Sequence, residues 1–132
     1  MRWEQIAQLK TTGLFYVESH TYWHPNFRIE KRRLSPQDYK KLVDSQLIKS
    51  RQLERRLGGH ITMLSWPFGI YDDELIAAAT KSGYVAAFTI ERRKVLRGDN
   101  VMALPRYFVT SGDLGKRFES LLPAWTPATN RR

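Results

Sequence analysis

His20 and His24 stand four positions apart in the stretch SHTYWHP, residues 19–25. Neutral imidazole is the commonest nitrogen ligand for zinc, and a catalytic zinc site takes three protein ligands and leaves a position open for water. The pair reads either as part of such a ligand set or as two polar residues of a surface loop. Pro25 restricts the backbone directly behind His24, which favours a defined turn. The third histidine, His60, stands alone and reads as structural.

A second stretch, SWPFG at 65–69, combines a turn with two large aromatics. Pro67 and Gly69 shape the turn, while Trp66 and Phe68 offer flat apolar faces for stacking on a sugar ring or another apolar ligand. Composition alone equally allows an aromatic turn that plugs the core. Asp72 and Asp73 invite an acid–base reading. Their place, with Glu74, at the start of a predicted helix favours capping, because the helix dipole attracts anions there. Arg106 follows Pro105 and is either an orienting group for a carboxylate near the site or a surface arginine. The RGD triplet at 97–99 is a three-letter match with a high chance rate and carries no weight.

The elements that must position these residues follow from periodicity. Trp3, Ile6 and Leu9 predict an amphipathic helix that stops at Gly13. Leu14–Val17 begin a β-rich run, LFYVESH, read as a buried strand that delivers His20 at its end. Residues 21–34 read as a loop. Ser35 as N-cap and Pro36 at the first helical position open a long helix. Its stripe is Tyr39, Leu42, Val43, Leu47, Leu53 and Leu57, closed by Gly58–Gly59. HITMLSWP reads as a strand, then comes the turn, then a helix from Asp72 with Leu75, Ile76 and Ala79 inward. YVAAFTI is a third strand, 91–103 a polar connection, and LPRYFVT a last short strand. Ser111 is placed to cap a final helix to about Leu122. Strands alternating with helices predict a mainly parallel α/β arrangement. Both His20/His24 and SWPFG then fall where strands end, the edge at which such folds build their sites. The chain opens on a helix with no strand before it, so the first layer is expected to be completed by something upstream or elsewhere.

With 132 residues, 42% hydrophobic and 27% charged, the chain reads as one ordered domain over 1–122 and a flexible tail over 123–132. It has no cysteine, which excludes disulfides and thiolate zinc sites. Net charge is +9, which permits nucleic acid, an anionic membrane surface or an acidic polymer as partner. The basic runs are short, and the stacking aromatics of an RNA-binding sheet are absent, so a solvated basic surface is expected and nucleic acid is not. No apolar run reaches the roughly 18–20 residues of a membrane span. Nor does the N-terminus carry the apolar core of a signal peptide, which leaves localisation open.

Together these residues resemble the polysaccharide deacetylases, the family of the NodB homology domain. His20-Thr21-Tyr22-Trp23-His24-Pro25 matches the family's H-[ST]-x-x-H-P motif. Trp3-Glu4-Gln5 and Gly13 match the approach to it, Trp66-Pro67-Phe68-Gly69 the aromatic turn lining the substrate groove, and Gly83-Tyr84 with Ala87-Phe88-Thr89 the strand that follows. Leu104-Pro105-Arg106 is similar to a late strand of the branch acting on exported poly-N-acetylglucosamine. The likeness covers roughly residues 2 to 110.

The resemblance implies a partial or distorted (β/α) barrel and a metal-dependent deacetylase of an N-acetylated polysaccharide, in a family that commonly works outside the cytoplasm. His20 and His24 would bind zinc or another divalent metal; Trp66, Pro67, Phe68, Gly69 and Arg106 would line the substrate. The family's Thr-Phe-Asp-Asp motif, source of the general base and the third metal ligand, has no match, nor does its Leu-x-His motif. Asp72 and Asp73 lie after the aromatic turn and cannot substitute. The base is expected upstream of Met1. A homo-oligomer covering the exposed edge would fit, as would a non-catalytic relative that binds carbohydrate or a protein partner.

Overall fold

The computed structural model describes residues 2–53, 56 and 60–122. Helix α1 spans Trp3–Thr11 and buries no residue. Its first turn is closed by the Gln5 side chain, which accepts the Arg2 amide at 2.7 Å. Helix α2, Phe27–Arg33, is capped by Asn26, whose side chain accepts the Ile29 amide at 3.1 Å. Helix α3 is Pro36–Gln52. Ser35 caps it as expected, and its buried residues Tyr39, Val43, Gln46, Leu47 and Ser50 repeat at helical spacing. Leu57, Gly58 and Gly59, read as its end, lie outside the described residues.

Strand β1, Met63–Ser65, pairs in parallel with β2, Ala86–Phe88. Between them run a 3-10 turn, Pro67–Gly69, and helix α4, Asp73–Lys81. Asp72 caps α4 through the Leu75 amide at 2.9 Å, so its sequence reading as a cap holds. Single parallel bridges add Ser19 beside Leu64 and Leu104 beside Phe88. The parallel order Ser19, β1, β2, Leu104 thus follows the order of the chain. A 3-10 turn at Val101–Ala103 precedes Leu104, and a short helix α5 covers Lys116–Glu119.

The core lies between this arc and helices α2–α4. Phe27, Tyr39, Leu47, Leu64, Trp66, Leu75 and Tyr84 are among its fully or nearly fully buried members. Burying a side chain such as Leu47 or Leu64 contributes roughly 1.5–3 kcal/mol.

Several sequence expectations are corrected. Residues 14–18 form no strand: Leu14 and Tyr16 are 80% and 86% exposed. The reason is local. The amides of Thr62 and Met63, where a longer ladder would continue, donate instead to the Glu18 carboxylate at 2.9 and 2.8 Å. The expected loop 21–34 contains α2, because Asn26 supplies a cap and Phe27 an apolar anchor. The last strand reduces to the Leu104 bridge, since Pro105 offers no amide to a ladder. Ser111 caps no helix; residue 115, a glycine at φ 53°, precedes α5. The described residues make an open arc of parallel segments and no closed barrel. Residues 123–132, read as a tail, lie outside the described residues. Among those described, no helix is long and apolar enough to cross a membrane.

Candidate functional site

The loop from Ser19 to Pro25 is held from both ends. Ser19 is buried, and its backbone joins β1: its amide donates to the Met63 carbonyl and its carbonyl accepts the Ser65 amide, at 3.1 and 2.9 Å. Its hydroxyl meets those of Ser50 and Tyr84 in a buried knot, with Tyr84 Oη 2.9 Å from Ser19 and 3.1 Å from the Leu47 carbonyl. Further along, the Trp23 amide donates to buried Gln46 at 3.0 Å. Pro25 is fully buried.

These ties support unusual backbone. Thr21, His24 and Phe68 all have positive φ, at 65°, 60° and 56°. Non-glycine residues in this region are strained by of order 1–3 kcal/mol and persist where their surroundings over-determine them. Thr21 directly follows His20, His24 is one of the pair, and Phe68 packs against His24. Beside Phe68, Gly69 has φ +66°, and a Cβ there would lie 2.5 Å from Ile90, so the turn requires glycine.

The outcome is a cleft of about 440 Å³ lined by His20, His24, Trp66, Phe68, Ile90, Arg106 and Phe108. The imidazoles of His20 and His24 meet edge to face with centroids 4.5 Å apart, and Phe68 stacks on His24 at 4.6 Å. His20 Nδ1 lies 2.7 Å from the Ser65 carbonyl. A carbonyl only accepts, so Nδ1 carries a proton, and in the neutral ring Nε2 is then the nitrogen that can ligate a metal. Arg106 buttresses the same spot. Its Nε donates to the Thr89 carbonyl at 2.8 Å and a terminal nitrogen donates to Ser65 Oγ at 3.0 Å. One arginine therefore clamps the end of β2 to the residue that orients His20.

Phe68, 54% exposed, forms the rim. Trp66 differs from the stacking expectation. It is fully buried, its indole donates to the Met102 carbonyl at 2.9 Å, and it is the floor of the cleft. Pro67 is buried behind the turn. His60 is exposed and lines no part of the cleft. Asp72 and Asp73 lie at the start of α4, away from the lining. Ile90, Phe108, Ser65 and Thr89 were not foreseen. Their signal was position: Ser65 ends β1, and Thr89 and Ile90 directly follow β2.

The donor set fits two of three metal ligands. Among the described residues no group of three or more His, Cys, Asp or Glu could hold an ion. The pair supplies two imidazole nitrogens and lacks the third ligand of a catalytic zinc site.

A family model described as polysaccharide deacetylase matches residues 1–87. The chain belongs to this family. It is 31% identical over 116 residues to YxkH of Bacillus subtilis (strain 168), a protein assigned to the polysaccharide deacetylases, spanning 87% of this chain and 38% of that one. It is 28% identical over 125 residues to the poly-β-1,6-N-acetyl-D-glucosamine N-deacetylase of Staphylococcus epidermidis, at 92% and 41% coverage. The chain thus spans about two fifths of the length of these curated relatives. The deacetylase PplD of Streptococcus pyogenes superposes with a TM-score of 0.79 at 16% identity, over 93% of this chain and 51% of that one. IcaB from Ammonifex degensii gives 0.71 at 22%, over 90% and 52%. The fold of this member is therefore that of about half of a solved deacetylase chain.

Proposed function

We propose that the chain is part of a metal-dependent N-deacetylase that hydrolyses acetamide groups of an N-acetylglucosamine-type polysaccharide. The carrying observation is the His20/His24 pair, edge to face at the parallel strand ends, with the Ser65 carbonyl fixing the His20 tautomer. A zinc or other divalent ion held by both imidazoles would polarise the acetamide carbonyl and acidify a bound water. In the reaction a water oxygen bonds to the carbonyl carbon, the C–N bond breaks, acetate leaves and the sugar amine takes up a proton.

This chain's residues do the holding and shaping. Phe68, Phe108 and Ile90 wall the cleft with apolar surface suited to a sugar ring, over the Trp66 floor. Arg106 keeps Ser65, and through it His20, in place. No Asp or Glu lines the cleft among the described residues. Two carboxylates from outside them would serve, one as third ligand and one as the base that takes the water's proton. That fits a chain covering two fifths of its relatives' length.

The test is zinc binding by calorimetry, alongside acetate release from β-1,6-linked N-acetylglucosamine oligomers. Stoichiometric zinc binding that disappears in both His20→Ala and His24→Ala is expected. Acetate release should be absent, or at least 10²-fold slower than from a relative containing the carboxylate segment. Zinc affinity unchanged in both variants would sink the proposal.

A further inference from the structure

A second pocket, which shares no lining residue with the cleft, lies beside residues 70–75. It has a volume of about 270 Å³ and is lined by α2, the start of α3 and residues 70–75. Three cationic side chains reach it: Arg28, Lys31 and Arg32. Lys31 is already engaged, with Asp72 at 2.9 Å and Glu74 at 2.8 Å. The side chains of Arg28 and Arg32, one helical turn apart, have no ion pair or hydrogen bond among the described residues. Two guanidiniums carrying five donors each thus border one concavity with no acceptor assigned to them.

The pocket's inner wall adds an independent observation. Tyr39 lines it and is 2% exposed, and its hydroxyl is buried without a hydrogen-bond partner among the described residues. An unpaired buried hydroxyl is costly, of order 1–3 kcal/mol, and calls for a partner such as a water or an ion. Burial and the nearby Asp72 carboxylate push this phenol up to about 12, so it remains a donor at neutral pH. The unused side-chain donors of the pocket are thus Arg28, Arg32 and the Tyr39 hydroxyl, while the Asp72 carboxylate in its lining is held by Lys31 and the Leu75 amide. Asp72 and Glu74 offset part of the positive charge through Lys31, which leaves the two arginines as the attracting pair.

We propose that this pocket binds a phosphate group, with Arg28 and Arg32 gripping its oxygens and the Tyr39 hydroxyl supplying a further donor. Guanidinium forks match the geometry of phosphate oxygens. The group could be borne by an anionic glycan or be free in solution. The site is separate from the His20/His24 cleft and stands whether or not that cleft is a deacetylase.

The test titrates inorganic phosphate into the whole chain at low salt, followed by amide NMR shifts, with Arg28→Ala/Arg32→Ala, Tyr39→Phe and the control Arg97→Ala. Saturation with a dissociation constant on the order of millimolar is expected, typical of a partly exposed charge-assisted site. The double variant should weaken it at least tenfold, Tyr39→Phe severalfold with circular dichroism unchanged, and Arg97→Ala not at all. A parallel titration with poly(glycerol phosphate) and with neutral dextran separates the sources. Phosphate-competed binding of the former, but not of dextran, supports a glycan-borne group; binding of phosphate alone supports the free ion. No saturation, or affinity indifferent to the double variant, would overturn the site. So would a loss in the double variant with Tyr39→Phe unchanged, since that describes a basic surface with no built pocket.

Discussion

The two ends of this fold are held by different means. The arc Ser19–β1–β2–Leu104 rests on a buried core and a buried hydroxyl knot, and every residue of the cleft follows one of its segments in the chain. The stretch from α1 to Tyr16 buries nothing, exposes Leu14 and Tyr16 almost completely, and is steadied by surface contacts such as Arg56 stacked 4.1 Å over Trp3. In the first region packing dictates conformation; in the second, local helix propensity and a few polar contacts do. A motif can therefore be held in working geometry although the segment leading to it makes almost no core.

The widest gap between the regions should appear in stability. Trp66→Ala or Leu47→Ala, each emptying a fully buried site, should destabilise by about 3–5 and 2–5 kcal/mol in urea unfolding. Leu14→Ser or Tyr16→Ser should stay within about 0.5 kcal/mol by the same measurement. A loss above 2 kcal/mol at Leu14 would erase the contrast.

Next in size is the clamp. Arg106→Ala removes the bonds to Ser65 and Thr89, and should weaken zinc binding about tenfold while leaving Tm within a few degrees. Partial rescue by Arg106→Lys, which restores one bond, would assign the effect to positioning. The hydroxyl knot should respond more mildly. Tyr84→Phe leaves Ser19 and Ser50 to pair with each other and should cost about 1–2 kcal/mol, read by chemical denaturation.

The smallest expected effect lies near Arg92. The Thr110 amide and hydroxyl, with Arg92 beside them, hold the Asp113 carboxyl below the usual carboxylate range. Its folded value is lower than its unfolded one. The stabilisation is thus present above the unfolded value near 4 and is lost as pH falls through the folded value. Amide exchange around Thr110–Asp113 should accelerate below about pH 4 while α3 remains protected. Simultaneous loss in both would merge the two regions.

How much of this was legible depended on the kind of force involved. Ser35–Pro36 and Asp72 announced their helices because caps and dipoles act within one turn. The histidine motif and the aromatic turn were legible as neighbours, the first following the Ser19 bridge and the second following β1. Residues 14–18 misled because β-propensity describes how a residue fits a sheet, whereas here the Glu18 carboxylate occupies the amides such a strand would need. Helix α2 hid because six of its seven residues face no core, leaving Phe27 and the Asn26 cap as its only signals. Trp66 could be read as wall or floor until its indole found the Met102 carbonyl. The Arg106–Ser65–His20 connection joins residues 41 and 45 positions apart, a separation no local pattern encodes.

The three left-handed residues at Thr21, His24 and Phe68 have a practical consequence for anyone who engineers this protein. A campaign to raise its melting temperature would find glycine or asparagine at these positions attractive, because each relieves backbone strain. The hardened variants would fold better while losing the fixed angle between the two imidazoles or, at His24, one imidazole itself. Screening by thermal tolerance alone would discard the cleft first.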